Sequence, residues 1–229
     1  MSDTAPQLPH LPLAVLSREF SAATRRTLAQ NGITDYDADT VAQLRQAGNF
    51  DDAVLAQAAL LPPMPALYWA WLCVNRYLRK TLTPAGLAAQ DAMKEWLAAC
   101  AECGKEWLAT GNVGDAAKLK VEQAGIAAWQ AAEADGGNSA AGVLCRGAYW
   151  FGDNVVPPEM EEVKDKIPPA PELPYFMAAA AARLCVAADP EQSAAILGDC
   201  LDTAQIVLAD PTVGAIIHRL AEQKMHRIG

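Results

Sequence analysis

Cys100 and Cys103 stand three residues apart, the spacing of half a zinc site or of a dithiol redox pair. A structural zinc site takes four ligands, and no second Cys-x-x-Cys or His-x-x-x-His completes the set. The three histidines, His10, His218 and His226, fall near the ends of the chain. Both cysteines share a helical stripe with Trp96 and Trp107, so core packing is the favoured reading and no metal or cofactor is expected. Nucleophilic catalysis lacks its parts too: there is no Gly-x-Ser-x-Gly elbow, and histidines in terminal segments leave a serine or cysteine without a base. Gly136-Gly137-Asn138-Ser139 has neither a strand before it nor a lysine after it, which makes it a helix stop followed by a cap, not a phosphate cradle. Glu159, Glu161, Glu162 and Asp165 are dense enough to attract a cation, but their spacing is not that of a calcium loop and prolines surround them. A solvated acidic loop is favoured. No catalytic, cofactor-binding or metal-ligating residue is assigned.

Aromatic residues are the more informative chemistry. Tyr68, Trp69 and Trp71 crowd one segment and Tyr149, Trp150 and Phe151 another. A helix cannot aim three consecutive side chains at one core, so part of each group must face the surface or a second interface. Tyr68, Trp69, Tyr149 and Trp150 are the candidate protein-binding residues, since exposed aromatic rings are natural anchors for a partner.

The elements that position these residues read as helices throughout. Prolines 6, 9 and 12 mark residues 1–15 as a mobile arm, and Ser17 is placed as the cap of the first helix, which Asn31-Gly32 closes. Short helices follow near Val41 and Leu44 and from Asp51 to the Pro62-Pro63 stop. Pro65 opens the aromatic helix, whose apolar face is assigned to Leu67, Tyr68, Trp71, Leu72 and Leu78, with Trp69 on another face. Thr83-Pro84 starts the most strongly periodic helix, carrying Met93, Trp96, Leu97, Cys100, Gly104 and Trp107 and ended by Gly111. An alanine-rich helix runs on to Gly136-Gly137. Ser139 then caps one whose apolar face is assigned to Val143, Leu144, Gly147, Trp150 and Phe151. Six prolines make residues 152–174 a long connecting loop, expected to run over the surface as an extended cover with Trp150 and Phe151 anchoring its start in the core. Helices from Pro174 and from Asp189-Pro190 are expected to form an antiparallel hairpin, and Asp210-Pro211 restarts a last short helix. The resulting expectation is an all-α, multi-helix globular bundle: a mobile arm at 1–15, one helical domain at 16–208 containing the 152–174 loop, and a C-terminal short helix or tail at 209–229.

Composition narrows the function classes. The chain has 229 residues, 52% hydrophobic and 20% charged, enough to bury a substantial core. Its formal charge of −9 repels phosphate backbones, which argues against nucleic acid. The polar, proline-punctuated start lacks a secretory pattern, and no apolar run reaches the roughly eighteen residues of a membrane span, so a cytoplasmic protein is expected. Cys73, Cys145, Cys185 and Cys200, like the first pair, sit in apolar helix-like surroundings and read as reduced core thiols.

The run Phe50-Asp51-Asp52-Ala53 through Leu60-Leu61-Pro62, with Ala66 to Cys73 after it, resembles an uncharacterised bacterial all-helical domain family with a "DA…LP…A.WWAC" pattern. Ala148-Tyr149-Trp150-Phe151-Gly152-Asp153-Asn154-Val155-Val156-Pro157-Pro158, then Pro168-Pro169 and Pro171, is similar to that family's "A.FWSGGS.APP…PPPP" signature. The likeness spans residues 17–208. It departs where Asp153-Asn154 replaces a Gly-Ser pair and where an arginine near Met64 is absent. The resemblance implies a domain of unknown function, often encoded among type VI secretion genes, and transfers no catalytic residue. The leading expectation is a non-enzymatic adaptor acting through protein contacts in such a system. The alternatives are an enzyme or small-ligand protein with an inter-helix pocket lined by Trp71, Trp96, Trp107 or Trp150, and an immunity protein, which the acidic charge also suits. Oligomeric state is left open.

Overall fold

Capping side chains start four of the helices in this computed structural model, which describes residues 11–152, 154–160, 165–211, 213 and 215. Ser21 accepts from the Thr24 N–H at 3.2 Å to open Ala22–Gln30 (α2), and Asp37 and Thr40 form a reciprocal capping box that opens Ala38–Gln46 (α3). Thr83 caps the long Pro84–Thr110 helix (α6), and Ser139 caps Ala140–Trp150 (α8). Between these lie Phe50–Leu60 (α4), Pro63–Tyr77 (α5) and Asp115–Ala134 (α7); Leu173–Leu184 (α9) and Ser193–Leu208 (α10) complete the set. Before them stands the one-turn helix Leu13–Leu16 (α1). Gly111, at φ 81°, ends α6 in the left-handed conformation that glycine adopts without strain. The described residues contain no strand, and the fold is all-α. None of their helices is long and apolar enough to cross a membrane.

The helices fall into two groups that meet where α8 packs on α9 and α5. α6, α7 and α8 pack on one another; α4, α5, α9 and α10 form the rest of the core, and α8 joins the groups through α9 and α5. Helix α8 can do this because its buried face is made of small residues, Ala141, Gly142, Cys145, Gly147 and Ala148, with Leu144 among them. At Gly147 a Cβ would stand 2.8 Å from Leu67 Cδ2 and 2.9 Å from Met177 Cβ, so the absent side chain is what lets α8 approach α5 and α9. Cys145 donates to the Ala89 carbonyl at 3.0 Å and ties α8 to α6. Asp52, buried in α4, accepts from the Ser21 N–H at 3.1 Å and the Ser21 hydroxyl at 2.6 Å, linking α4 to the start of α2.

Several expectations change. Ser17 follows α1 and Ser21 is the cap, because Leu11 and Leu16 are buried and dock residues 11–16 on the core; residues 1–10 of the expected arm lie outside the described residues. Trp69 is fully buried, not on an outer face. Helix α5 is packed by α4, α6, α8, α9 and α10, so Ala66, Trp69, Ala70, Cys73 and Val74 are all enclosed while Tyr68, Trp71 and Leu72 are half-buried. Phe151 is 38% exposed and Trp150 half-buried, so neither anchors the loop in the core. The loop is held by polar contacts instead. The Tyr149 hydroxyl donates to the Val156 carbonyl at 2.5 Å, and Asn154 Oδ1 accepts from the N–H groups of Val156 (3.1 Å) and Ile167 (3.0 Å). Trp129 Nε1 adds a bond to Glu159 Oε2 at 3.2 Å. Glu161 and Glu162 lie outside the described residues. Helices α9 and α10, expected to pair as a hairpin, touch each other little: the 3₁₀ turns Cys185–Ala188 and Pro190–Gln192 carry the chain between them, and each packs chiefly on α4 or α5. Val213 is buried just after Pro211; residues 216–229 lie outside the described set.

Candidate functional site

Three prolines shape an apolar cleft at the start of α5. A helix start leaves about four backbone N–H groups without intrahelical partners, and these normally make it polar and attractive to anions. In α5 those positions are Pro62, Pro63, Met64 and Pro65, so only the Met64 N–H remains. The helix therefore presents ring carbons and a thioether where others present donors. Opposite stand Cys103, Gly104 and Trp107 of α6, with Val121 of α7 and Phe151 at the end of α8 closing the sides of a cleft of about 270 Å³. No carboxylate, amine or imidazole lines it, and apart from the Cys100 and Cys103 thiols its surface offers apolar contact.

Phe151 also lines a second cleft, of about 450 Å³, between α6, α7 and α8. Its ring meets Trp96 edge to face, with centroids 5.4 Å apart and planes at 77°. Trp96 is wholly buried, and its indole N–H has no hydrogen-bond partner. A third groove, between α5 and α6, is lined by Tyr68 and Trp71, stacked at 6.3 Å and 19°, together with Lys94, Lys105 and Asp210.

The four aromatic candidates are thus dispersed. Tyr68 lines the third groove. Trp69 donates from Nε1 to the Cys200 carbonyl at 2.6 Å inside the core and offers nothing to a partner. Tyr149 lines the second cleft with its hydroxyl engaged by Val156, and Trp150 tilts against Trp129 at 6.2 Å. Of the tryptophans expected at a pocket, Trp107 lines the first cleft, Trp96 the second and Trp71 the third; Trp150 lines none of these three. Met64, the proline triplet and Phe151 were not singled out as surface residues. The Pro62-Pro63-x-Pro65 spacing was the available signal, since it strips donors from a helix start.

Of the thiols, Cys103 alone reaches a cleft with part of its surface open; the other five are buried. All six are free, and among them only Cys103 is more than slightly exposed. Burial pushes Cys100 up to about 12, with Cys103 nearby adding to it, and burial also raises Cys103. A feature absent from the sequence reading is the meeting of Cys73, Cys185 and Cys200 at the junction of α5, the first 3₁₀ turn and α10. Cys73 donates to the Cys200 carbonyl at 4.0 Å and Cys185 to the Ala181 carbonyl at 3.6 Å, and the neighbouring Cys200 thiol together with burial holds both well above the ordinary range. The neighbouring Cys185 and Cys73 thiols make Cys200 the most acidic of the trio. All three are sealed from solvent. Among the described residues no group of three or more His, Cys, Asp or Glu side chains is arranged to hold a metal ion.

These features define an all-helical protein with one apolar cleft and two others of mixed lining. Residues 120–208 match the model of a family of unknown function, DUF6931. That span contains the 148–158 and 168–171 stretches on which the resemblance was read, and leaves the 50–73 stretch outside. No curated protein and no solved structure matches the chain.

Proposed function

We propose that the chain is a non-enzymatic accessory protein that binds a protein partner through the proline-floored cleft, and that it works in the bacterial cytoplasm as part of a type VI secretion-related apparatus. The observation that carries this reading is the cleft itself: an opening lined chiefly by Pro62, Pro63, Met64, Trp107, Val121 and Phe151 accepts an apolar side chain. The rim ring of Phe151, 38% exposed, is the kind of anchor that carries interface energy. The secretion setting is supported by the sequence resemblance alone.

Photo-crosslinking in the native cell tests it. A benzoylphenylalanine at position 151 should give a discrete adduct to a component of the secretion apparatus. Placed at Ile206, which is 65% exposed on α10, it should not. Met64→Glu, a charge set in the cleft, should abolish the adduct at 151 while leaving the circular-dichroism melt unchanged. An absent adduct, or one that survives Met64→Glu, removes the cleft from the interface.

A further inference from the structure

The second cleft contains a buried donor with nothing to donate to. Trp96 is 0% exposed and its Nε1–H has no partner in the protein. Leaving such a group unbonded in the interior is costly, so native structures nearly always satisfy it. Trp69 and Trp71, by contrast, donate to the carbonyls of Cys200 and Gln90. On the cleft side Gly125 of α7 faces Trp96. A Cβ built there would stand 3.8 Å from Trp96 Nε1 and the same distance from the Ala148 carbonyl, with nothing closer. Glycine inside a helix costs about 1 kcal/mol relative to alanine, and packing does not require it here. What the glycine leaves is a slot beside the indole N–H.

The charges around the slot indicate what it admits. In a chain of net charge −9, the charged side chains among the described residues lining this cleft are Lys118, Lys166 and Glu122, two positive to one negative. Lys118 lies 3.3 Å from the exposed Asp115 carboxylate, and Lys166 has contacts of its own; both remain at the mouth. The walls between are Val121, Ile126, Ala148 and the Phe151 ring.

We propose that this cleft binds a small apolar carboxylate. One oxygen accepts the Trp96 indole N–H through the gap at Gly125, the carboxylate charge faces the lysine side of the mouth, and the hydrocarbon part lies along Val121, Ile126 and Phe151. The Phe151 ring, edge-on to Trp96 and partly exposed, turns outward to admit it. The site does not depend on the protein-contact reading, because Trp96 and Gly125 line only the second of the two clefts.

The probe is 3-phenylpropionate, titrated into the ¹⁵N-labelled full chain while the tryptophan indole N–H signals are followed. One signal should move, with a dissociation constant in about the millimolar range or below, and Trp96→Phe should identify it by its disappearance. The amine of the same shape, 3-phenylpropylamine, should leave that signal in place. Gly125→Ala should weaken binding at least about tenfold while the protein melts no lower, since alanine is the better helix former and meets only ordinary contacts. Loss of affinity with an intact melt thus separates a blocked slot from a damaged fold. The proposal is overturned if no indole signal moves, if the amine moves it equally, or if Gly125→Ala binds as the original chain does.

Discussion

Replacing Trp69 by alanine gives the sharpest test of how the core is built. The indole is fully enclosed where α5 meets α10, and its N–H donates to the Cys200 carbonyl at 2.6 Å. Burying an aromatic of this size removes about 200 Å² from water, which at about 25 cal/mol per Å² amounts to about 5 kcal/mol. Measured truncations of buried aromatics cost about 3–5 kcal/mol, and a buried hydrogen bond adds about 1 kcal/mol. We expect Trp69→Ala to lose about 4–5 kcal/mol. Trp69→Phe, which keeps most of the ring, should lose about 2 kcal/mol. Trp150→Ala, at a half-buried position, should lose no more than about 2 kcal/mol. In urea, with a slope of about 2 kcal/mol per molar, Trp69→Ala should lower the unfolding midpoint by about 2 M and Trp150→Ala by 1 M or less. If Trp150→Ala proves the more damaging of the two, the assignment of the α5 and α8 faces given above is wrong.

A thiol reagent should titrate Cys103 alone in the native protein, more slowly than a free thiol because burial raises it, and all six cysteines in denaturant; rapid native reaction of Cys73, Cys185 or Cys200 would mean that their junction opens. Gly147→Ala should destabilise by about 1–3 kcal/mol in the same urea titration despite alanine's better helix propensity, because Met177 Cβ at 2.9 Å cannot swing aside. Asn154→Ala removes the acceptor shared by the Val156 and Ile167 N–H groups, so limited proteolysis should cut the 152–174 loop faster while the global melt changes by less than about 1 kcal/mol. No acceleration would mean that Tyr149 and Trp129 suffice to hold it.

Local signals in the sequence carried the helical class and many of the element borders. Thr83-Pro84, Gly111 and Ser139 act as stops and caps through their own side chains or backbone, and such effects need no knowledge of neighbours. Faces were harder. Trp69 was assigned outward because Leu67, Tyr68, Trp71 and Leu72 looked like one stripe, yet α5 is surrounded by five helices and its period carries little information about which side is inside. On α8 the eye goes to Trp150 and Phe151, whereas the buried face is the run of alanine, glycine and cysteine that permits close helix approach. The first cleft was legible only in part. Pro62-Pro63-x-Pro65 was visible as a helix boundary, but its meeting with Trp107, Val121 and Phe151 joins residues from four separate helical segments, and only tertiary structure brings those together. The unpaired Trp96 N–H was invisible for the same reason, since a missing partner cannot be read from one residue's type.

The indole of Trp69 bonded to Cys200 also bears on inheritance. The segment shared with the family of unknown function begins inside α7 and ends with α10, and Cys200 lies within it while Trp69 lies outside. Arg45 reaches into the same segment, gripping Asp202 with two bonds of 2.5 and 2.9 Å, and Arg183 reaches out of it to the Asp51 carbonyl at 2.8 Å. Half of the cement therefore belongs to residues upstream of position 120. A gene fragment cut at the shared borders would carry α9 and α10 away from the α4 and α5 helices that cover them.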